Sequence, residues 1–312
     1  MTAIVTLTPN PAIDLSTSVE RVAPIQKLRC APLRRDPGGG GINVARVVQR
    51  LGGQVAAIYT AGGATGALLR RLLNAEGIAG IAVEADQETR ENFTVLEQDS
   101  GNQYRFVLPG TALSDAEWRA CLQAIVGMLP PPRFIVGSGS LPPGVPDDFY
   151  AQAAKIAKAC GAKMVLDTAG AALARGLSEA VYLVKPNRRE LQDLVGHTLT
   201  GPDTWVRASR SLVESGRAEV VALTLADAGA LLVTADLACR GHAPAVKIMS
   251  AVGAGDSFLG GMVWSLAAGD SLIDAFRSGI AAGTAAVLKP GTELCDPDDV
   301  LRLREEIELE QV

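Results

Sequence analysis

Histidine is scarce and cysteine scattered in this chain. Two histidines, His197 and His242, accompany five cysteines, Cys30, Cys121, Cys160, Cys239 and Cys295, none of them in a CxxC pair. That spacing excludes a structural zinc site and offers no Cys/His nucleophile. Ser138 and Ser140 have no histidine near them in sequence, which argues against a hydrolase triad. Long apolar runs are also missing: the longest uncharged window, 51–69, is broken by five glycines, whereas a membrane span needs about 20 mostly apolar residues. Basic residues form no stripe, and 29 Lys and Arg against 34 Asp and Glu leave a net charge of −5. A polynucleotide partner is thereby excluded, while a small anion remains within reach of local arginines. Neither GxxxxGK[ST] nor a GxGxxG after the first strand occurs, so ordinary P-loop and dinucleotide sites are excluded. No basic and then apolar leader follows Met1-Thr2-Ala3, and the odd cysteine count suits a reducing compartment, so a cytoplasmic location is expected.

What is present is a hydrophobic fraction of 48% and 33 glycines, the composition of a globular chain with many tight turns. Strand-like runs at 4–7, 55–59, 79–83, 134–136, 163–167, 182–184, 220–225 and 230–234 are interleaved with helical spacing at 42–51, 65–75, 115–128, 148–160, 189–195, 257–267 and 272–288. Such alternation predicts an α/β fold around a mostly parallel sheet. The rhythm lapses at 90–108, where two β-prone runs flank Asp99-Ser100-Gly101-Asn102 as a hairpin, and at 15–33, which is β-prone with polar alternation. These pieces, about 14–36 and 88–108, are expected to form a small antiparallel lid inserted into a single domain spanning 1–312. No repeat or low-complexity linker divides the chain.

In an open parallel sheet, ligands bind beyond the carboxyl ends of the strands. The turns in that position carry Asp14, the Gly38–Gly41 run with Asn43, Ser138–Ser140, Lys185–Glu190, Thr224–Gly229 and Gly253-Ala254-Gly255-Asp256. The last stands where a strand-like run meets an apolar helix, and glycines there let backbone N–H groups approach an anion. Asp256 has two readings: a general base beside a transferring phosphoryl group, or a helix cap. Arg90 and Arg105, with Lys27 and Arg29, are either a clamp on a phosphate dianion or a solvated face.

Two strings, Pro37-Gly38-Gly39-Gly40-Gly41-Ile42-Asn43-Val44-Ala45 and Val252-Gly253-Ala254-Gly255-Asp256-Ser257-Phe258, resemble in order and separation the two signatures of the ribokinase-like (PfkB) sugar kinases. Within that family, Lys27-Leu28-Arg29-Cys30, Gln103-Tyr104-Arg105-Phe106, Gly139-Ser140-Leu141-Pro142-Pro143-Gly144 and Lys185-Pro186-Asn187 look most like the branch that phosphorylates fructose 6-phosphate, with kinases of fructose 1-phosphate and tagatose 6-phosphate as the near alternatives. The resemblance implies ATP and Mg²⁺ as cofactors and a ribokinase-like fold. It makes Asp256 the base and Gly253, Ala254 and Gly255 an anion hole. Asp14, Gly39, Gly40, Asn43 and Ser140 would hold the sugar, and Arg90 and Arg105 its phosphate, with Lys27 reaching in from a second subunit. Lys185, Asn187, Thr224, Gly229 and Gly255 would line the nucleotide, and Glu190 would order Mg²⁺ through water. Carbonyls around Ser250, Val252, Ala286 and Gly291 would form a K⁺ site. The chain departs from the pattern at Ala226, where glycine is usual, at Ala251, where threonine is common, and at Lys289 inside the cation loop. A non-catalytic sensor of sugar phosphate or nucleotide is the alternative from another class. Exposed β edges on the lid would be covered by homodimerisation.

Overall fold

The apolar runs Ile4–Thr8, Val55–Ala61 and Phe134–Ser138 bury every side chain. Strands covered on both faces belong inside a parallel sheet with helices on either side. The computed structural model, which describes residues 3–312 and leaves Met1 and Thr2 outside the description, shows that arrangement. In chain order the elements are β1 (Ile4–Thr8), β2 (Ala12–Val19), β3 (Arg34–Gly38), α1 (Gly40–Arg50), β4 (Val55–Ala61), α2 (Gly63–Ala75), β5 (Ala79–Glu84), β6 (Arg90–Glu97), β7 (Gln103–Phe106), α3 (Asp115–Val126), β8 (Phe134–Ser138), α4 (Phe149–Ala159), β9 (Lys163–Asp167), α5 (Gly170–Gly176), β10 (Val181–Val184), α6 (Arg188–Val195), α7 (Pro202–Glu214), β11 (Ala218–Thr224), β12 (Ala230–Val233), β13 (Ala238–His242), α8 (Ala254–Ala268), α9 (Leu272–Val287), α10 (Pro297–Glu306) and β14 (Glu308–Gln311).

The large sheet has the order β14-β13-β12-β11-β10-β9-β8-β1-β4-β5. The strands from β11 to β5 are mutually parallel, and β12, β13 and β14 extend one edge in antiparallel fashion. Because side chains alternate across a strand, each strand feeds two cores. Val165, Leu183 and Val220 pack with α1, α8 and α9, while Leu166, Val184 and Val221 pack with α3, α4 and α7. The chain runs outward from β1 in both directions, through β4 and β5 on one side and through β8 to β11 on the other, so the crevice between the ends of β1 and β8 is the topological switch point.

A second sheet, ordered β3-β2-β6-β7, stands apart from the large one. Its two outer pairings are antiparallel as expected, whereas the central pairing of β2 with β6 is parallel. The β-prone stretch 15–33 is strand only as far as Val19, and residues 20–33 run irregularly past Pro24 and Pro32, which cannot donate to a ladder. Pro37 and Gly38, expected in a turn, instead end β3. The strand lies at the sheet edge, where a proline costs no inner hydrogen bond.

This sheet is tied to the body through buried charge. Arg46, 1% exposed on α1, donates to both oxygens of Glu76 and to the Pro37 carbonyl and lies 3.7 Å from Asp36. Asp36 in turn accepts from Arg34 and from the Thr292 hydroxyl.

Candidate active site

Helix α8 points its first turn at the switch crevice. Gly253 caps it with φ +77, a left-handed conformation that glycine takes without the Cβ penalty, and the N–H groups of the first turn have no acceptors within the helix. Gly260, one turn further on, has no room for a Cβ against Val47, so α8 and α1 lie in close contact and their N-termini meet at the cleft. Asn43 from α1 thereby donates to Asp256 Oδ2 at 2.8 Å.

Asp256 does not act as the side-chain cap of α8, since no side-chain cap hydrogen bond is present there. Its carboxyl is pushed up to about 7, first by burial and then by the neighbouring charges of Asp167 and Asp14. The Asn43 hydrogen bond and the Lys185 ammonium hold it from rising further. Lys185 is itself buried at 5% exposure. Burial alone pulls its ammonium down, but the ion pair with Asp167 at 2.9 Å, with Asp256 and Glu190 beyond it, carries it above its ordinary value. Lys185 Nζ also approaches Gly255 closely, so the charge stands beside the anion-binding turn.

A cleft of about 490 Å³ opens over these groups, with Gly40, Ser138, Ser140, Asp167, Glu190 and Asp256 in its wall. A second hollow of about 680 Å³ continues it through Ser140 and Asp147 toward Arg90 and Leu108. Asp14, on β2, accepts from Asn92 Nδ2 at 2.8 Å. Burial raises its carboxyl above the usual range, against the pull of the Asn92 hydrogen bond and the charges of Arg105 and Arg90. Gly38 is needed beside it, because a Cβ there would stand 2.2 Å from Asp14 Oδ2. Gly39 caps α1 and Gly40 opens it.

Arg90 is half-buried and donates to the carbonyls of Asn10, Pro11 and Leu108, which aims its guanidinium and leaves part of the fork unused. Arg105 is exposed on β7, and Lys27 lies exposed in the irregular 20–33 stretch. On the other side, Asn187 and Glu190 form a reciprocal cap on α6, so one oxygen of each is engaged, and burial raises the Glu190 carboxyl. Asn187 also bridges to Thr224, which brings the Lys185–Asn187 loop against the turn that ends at Gly229. Ala226 in that turn has φ +54 and so keeps the left-handed course that a glycine would take there, at a cost of about 1–2 kcal/mol.

In the loop before α8, the Ser250 hydroxyl bonds to the Gly291 carbonyl at 2.7 Å, and Val252 N–H donates to the same hydroxyl. The Ala286 carbonyl accepts from Lys289 N–H. Lys289 turns its ammonium toward Asp299 at 3.2 Å. Asp167, Asn92 and Asn10 are the site groups that the sequence reading passed over. Asp167 carried the same signal as the others, a polar residue ending a strand at the carboxyl edge of the sheet.

A near-neutral carboxylate beside an anion-binding helix start, in the switch crevice of a parallel sheet, is the equipment of phosphoryl transfer to an alcohol. The chain belongs to the pfkB family carbohydrate kinases, whose model matches residues 7–299. It is 45% identical to the ATP-dependent 6-phosphofructokinase isozyme 2 of Mycobacterium tuberculosis, over 97% of this chain and 89% of that one. The isozyme 2 of Escherichia coli is 43% identical over 97% and 98%. Crystal structures of phosphofructokinase-2 from E. coli, in complex with potassium and with fructose-6-phosphate, match with TM-scores of 0.94 and 0.92 at 42% and 41% identity, over 98% of this chain and 99% of theirs. A 1-phosphofructokinase of Xanthomonas campestris is 34% identical over 84% of this chain and 83% of that one.

A carboxylate accepts a proton only when ionised, so with Asp256 as the base kcat/KM for transfer is expected to fall on the acid side of about pH 7. Lys185→Met removes a charge that holds this carboxyl down, and should move the acid limb to higher pH. A limb near pH 4 in the unmodified protein, or no movement in the variant, contradicts this electrostatic account.

Proposed function

We propose that this protein is an ATP-dependent 6-phosphofructokinase, transferring the γ-phosphoryl group of ATP to a hydroxyl of fructose 6-phosphate to give fructose 1,6-bisphosphate. The observation that carries the reading is the pairing of Asp256, near neutrality and hydrogen-bonded by Asn43, with the open first turn of α8. Asp256 takes the proton of the attacking hydroxyl, and the N–H groups of Gly253, Ala254 and Gly255 meet the charge that spreads over the transferring group. Asp14, Gly39, Gly40, Asn43 and Ser140 hold the sugar, and Arg90 and Arg105 its phosphate. Lys185, Asn187, Thr224 and Gly229 line the nucleotide side. The higher identity to 6-phosphofructokinases than to 1-phosphofructokinases supports the choice of sugar phosphate.

Mg²⁺ fits the oxygen donors of this cleft: the Glu190 and Asp167 carboxylates share its wall with Asp256, and hard cations of this kind keep water between themselves and such groups. Bound with ATP, it would neutralise phosphate charge. A K⁺ ion would take its oxygens from the carbonyls of Ser250, Val252, Ala286 and Gly291, and the Lys289 ammonium points away to Asp299 at 3.2 Å. The small sheet serves as a lid over the sugar within a single domain, with its boundaries at about 14–36 and 88–108. Its exposed Phe93, Phe106 and Leu33 favour a homodimer through that lid, in which Lys27 is offered to the partner's site. Five free thiols, Cys30 exposed among them, fit a reducing cytoplasm.

Asp256→Asn should lower kcat about 10²–10⁴-fold, the range for a lost general base, with substrate binding kept. Near-normal turnover in that variant sinks the assignment of the base. For the assembly, Phe106→Glu should convert a dimer to monomer in sedimentation experiments. A monomeric unmodified protein at micromolar concentration refutes the lid interface.

A further inference from the structure

Asn10 sits in the loop that leaves β1, at the switch crevice, and is 7% exposed. Its Nδ2 donates to Ser140 Oγ at 3.0 Å, across the crevice from the loop that leaves β8. An amide NH₂ only donates, so it occupies a lone pair of the hydroxyl and leaves the Ser140 O–H to donate elsewhere. Ser140 is exposed and lines both hollows of the cleft, so that donor has the cleft to itself. The main chain of the same loop aims a second group. Arg90 donates to the Asn10 carbonyl at 3.0 Å and to the Pro11 carbonyl at 3.4 Å. The loop is held in turn by Thr60, whose hydroxyl donates to the Pro9 carbonyl at 3.1 Å. Gly110 packs against the far side of the Asn10 amide, where only glycine leaves room, since a Cβ there would stand 2.3 Å from Asn10 Oδ1.

We propose that Asn10 is a positioning residue for the sugar phosphate, which fixes the Ser140 hydroxyl as a hydrogen-bond donor into the cleft. The inference rests on the reading above that this cleft receives the sugar phosphate. A donor fixed in this way meets an oxygen that only accepts, such as a phosphate or ring oxygen, without first breaking a bond within the protein. Asn10 also lines the second hollow, and the role assigned to it here is exerted through the Ser140 hydroxyl and not on the reacting atoms.

The test is a double-mutant cycle of Asn10→Ala and Ser140→Ala, with Asn10→Asp beside it, read as KM for fructose 6-phosphate, KM for ATP, kcat and the thermal midpoint. Asn10→Ala should raise the sugar-phosphate KM about 5–10-fold, the worth of one net hydrogen bond, with kcat and the ATP KM within about twofold. In the Ser140→Ala background the same change should add less than about twofold. Asn10→Asp should be worse than alanine, because a carboxylate recaptures the hydroxyl proton and repels the phosphate. It keeps the side-chain volume, so it carries the test should the alanine variant unfold. Additive effects in the cycle, an aspartate variant no worse than alanine, or an unchanged KM in Ser140→Ala each overturn the inference. None of these results bears on the loss of turnover in Asp256→Asn, which tests the wider reading separately.

Discussion

Desolvation of one carboxylate is the constraint around which this site is arranged. At the floor of the cleft Asp256 has lost most of its water, and burial drives its carboxyl toward neutrality. Two groups limit that rise, the amide of Asn43 and the ammonium of Lys185. Lys185 is buried as well, and stays charged because Asp167 stands 2.9 Å away. Yet Asp167 also pushes Asp256 upward, so the same carboxylate stabilises the lysine and opposes ionisation of Asp256. The outcome is an acid poised near the middle of the physiological range, where a proton acceptor combines a large ionised fraction with useful basicity.

That balance needs groups from distant parts of the chain to converge, and the parallel sheet does this. The loops after β1 and β8, the end of β9, the start of α6 and the first turn of α8 all open on the carboxyl edge of the strands. Close helix packing sets the remaining distances: α8 reaches α1 at Gly260 and Val47, and the contact brings Asn43 within hydrogen-bond reach of Asp256. The small sheet is fastened to the loops before α8 and after α9 at two points, through the Gln103 amide on the Met249 carbonyl and through the Thr292 hydroxyl on Asp36. The small sheet and the first turn of α8, on either side of the cleft, are therefore parts of one connected structure.

The features legible in the amino-acid order were those with local causes. The glycines of the Gly253–Gly255 turn marked a place where the backbone can approach an anion, and apolar runs bounded by turn residues marked β1, β4, β8, β9 and β11. Asp14, Asn43, Asp256, Lys185 and Glu190 stood out because each followed such a run or opened a helix. Pairing between remote segments left no local mark. The parallel register of β2 with β6 depends on residues about 80 positions apart, and the Asp167–Lys185 ion pair is visible only once β9 and β10 are neighbours. Short or polar elements were also passed over. The strand β14 is a charged edge strand, and α7 dilutes its buried Trp205, Ala208 and Leu212 with arginines and serines, although Pro202 marks its first turn. The early start of α1 at Gly40 was hidden because a run of glycines reads as a turn, while here its last two members already belong to the helix.

The most direct test of the central claim is a comparison of kcat/KM for ADP release from MgATP with fructose 6-phosphate, fructose 1-phosphate, tagatose 6-phosphate and unphosphorylated fructose, in the presence and absence of potassium. The account predicts the highest value with fructose 6-phosphate and a marked loss with fructose, whose missing phosphate leaves Arg90 and Arg105 without a partner. A preference for fructose 1-phosphate or for the unphosphorylated sugar, or no ADP release with any of the four, would contradict it.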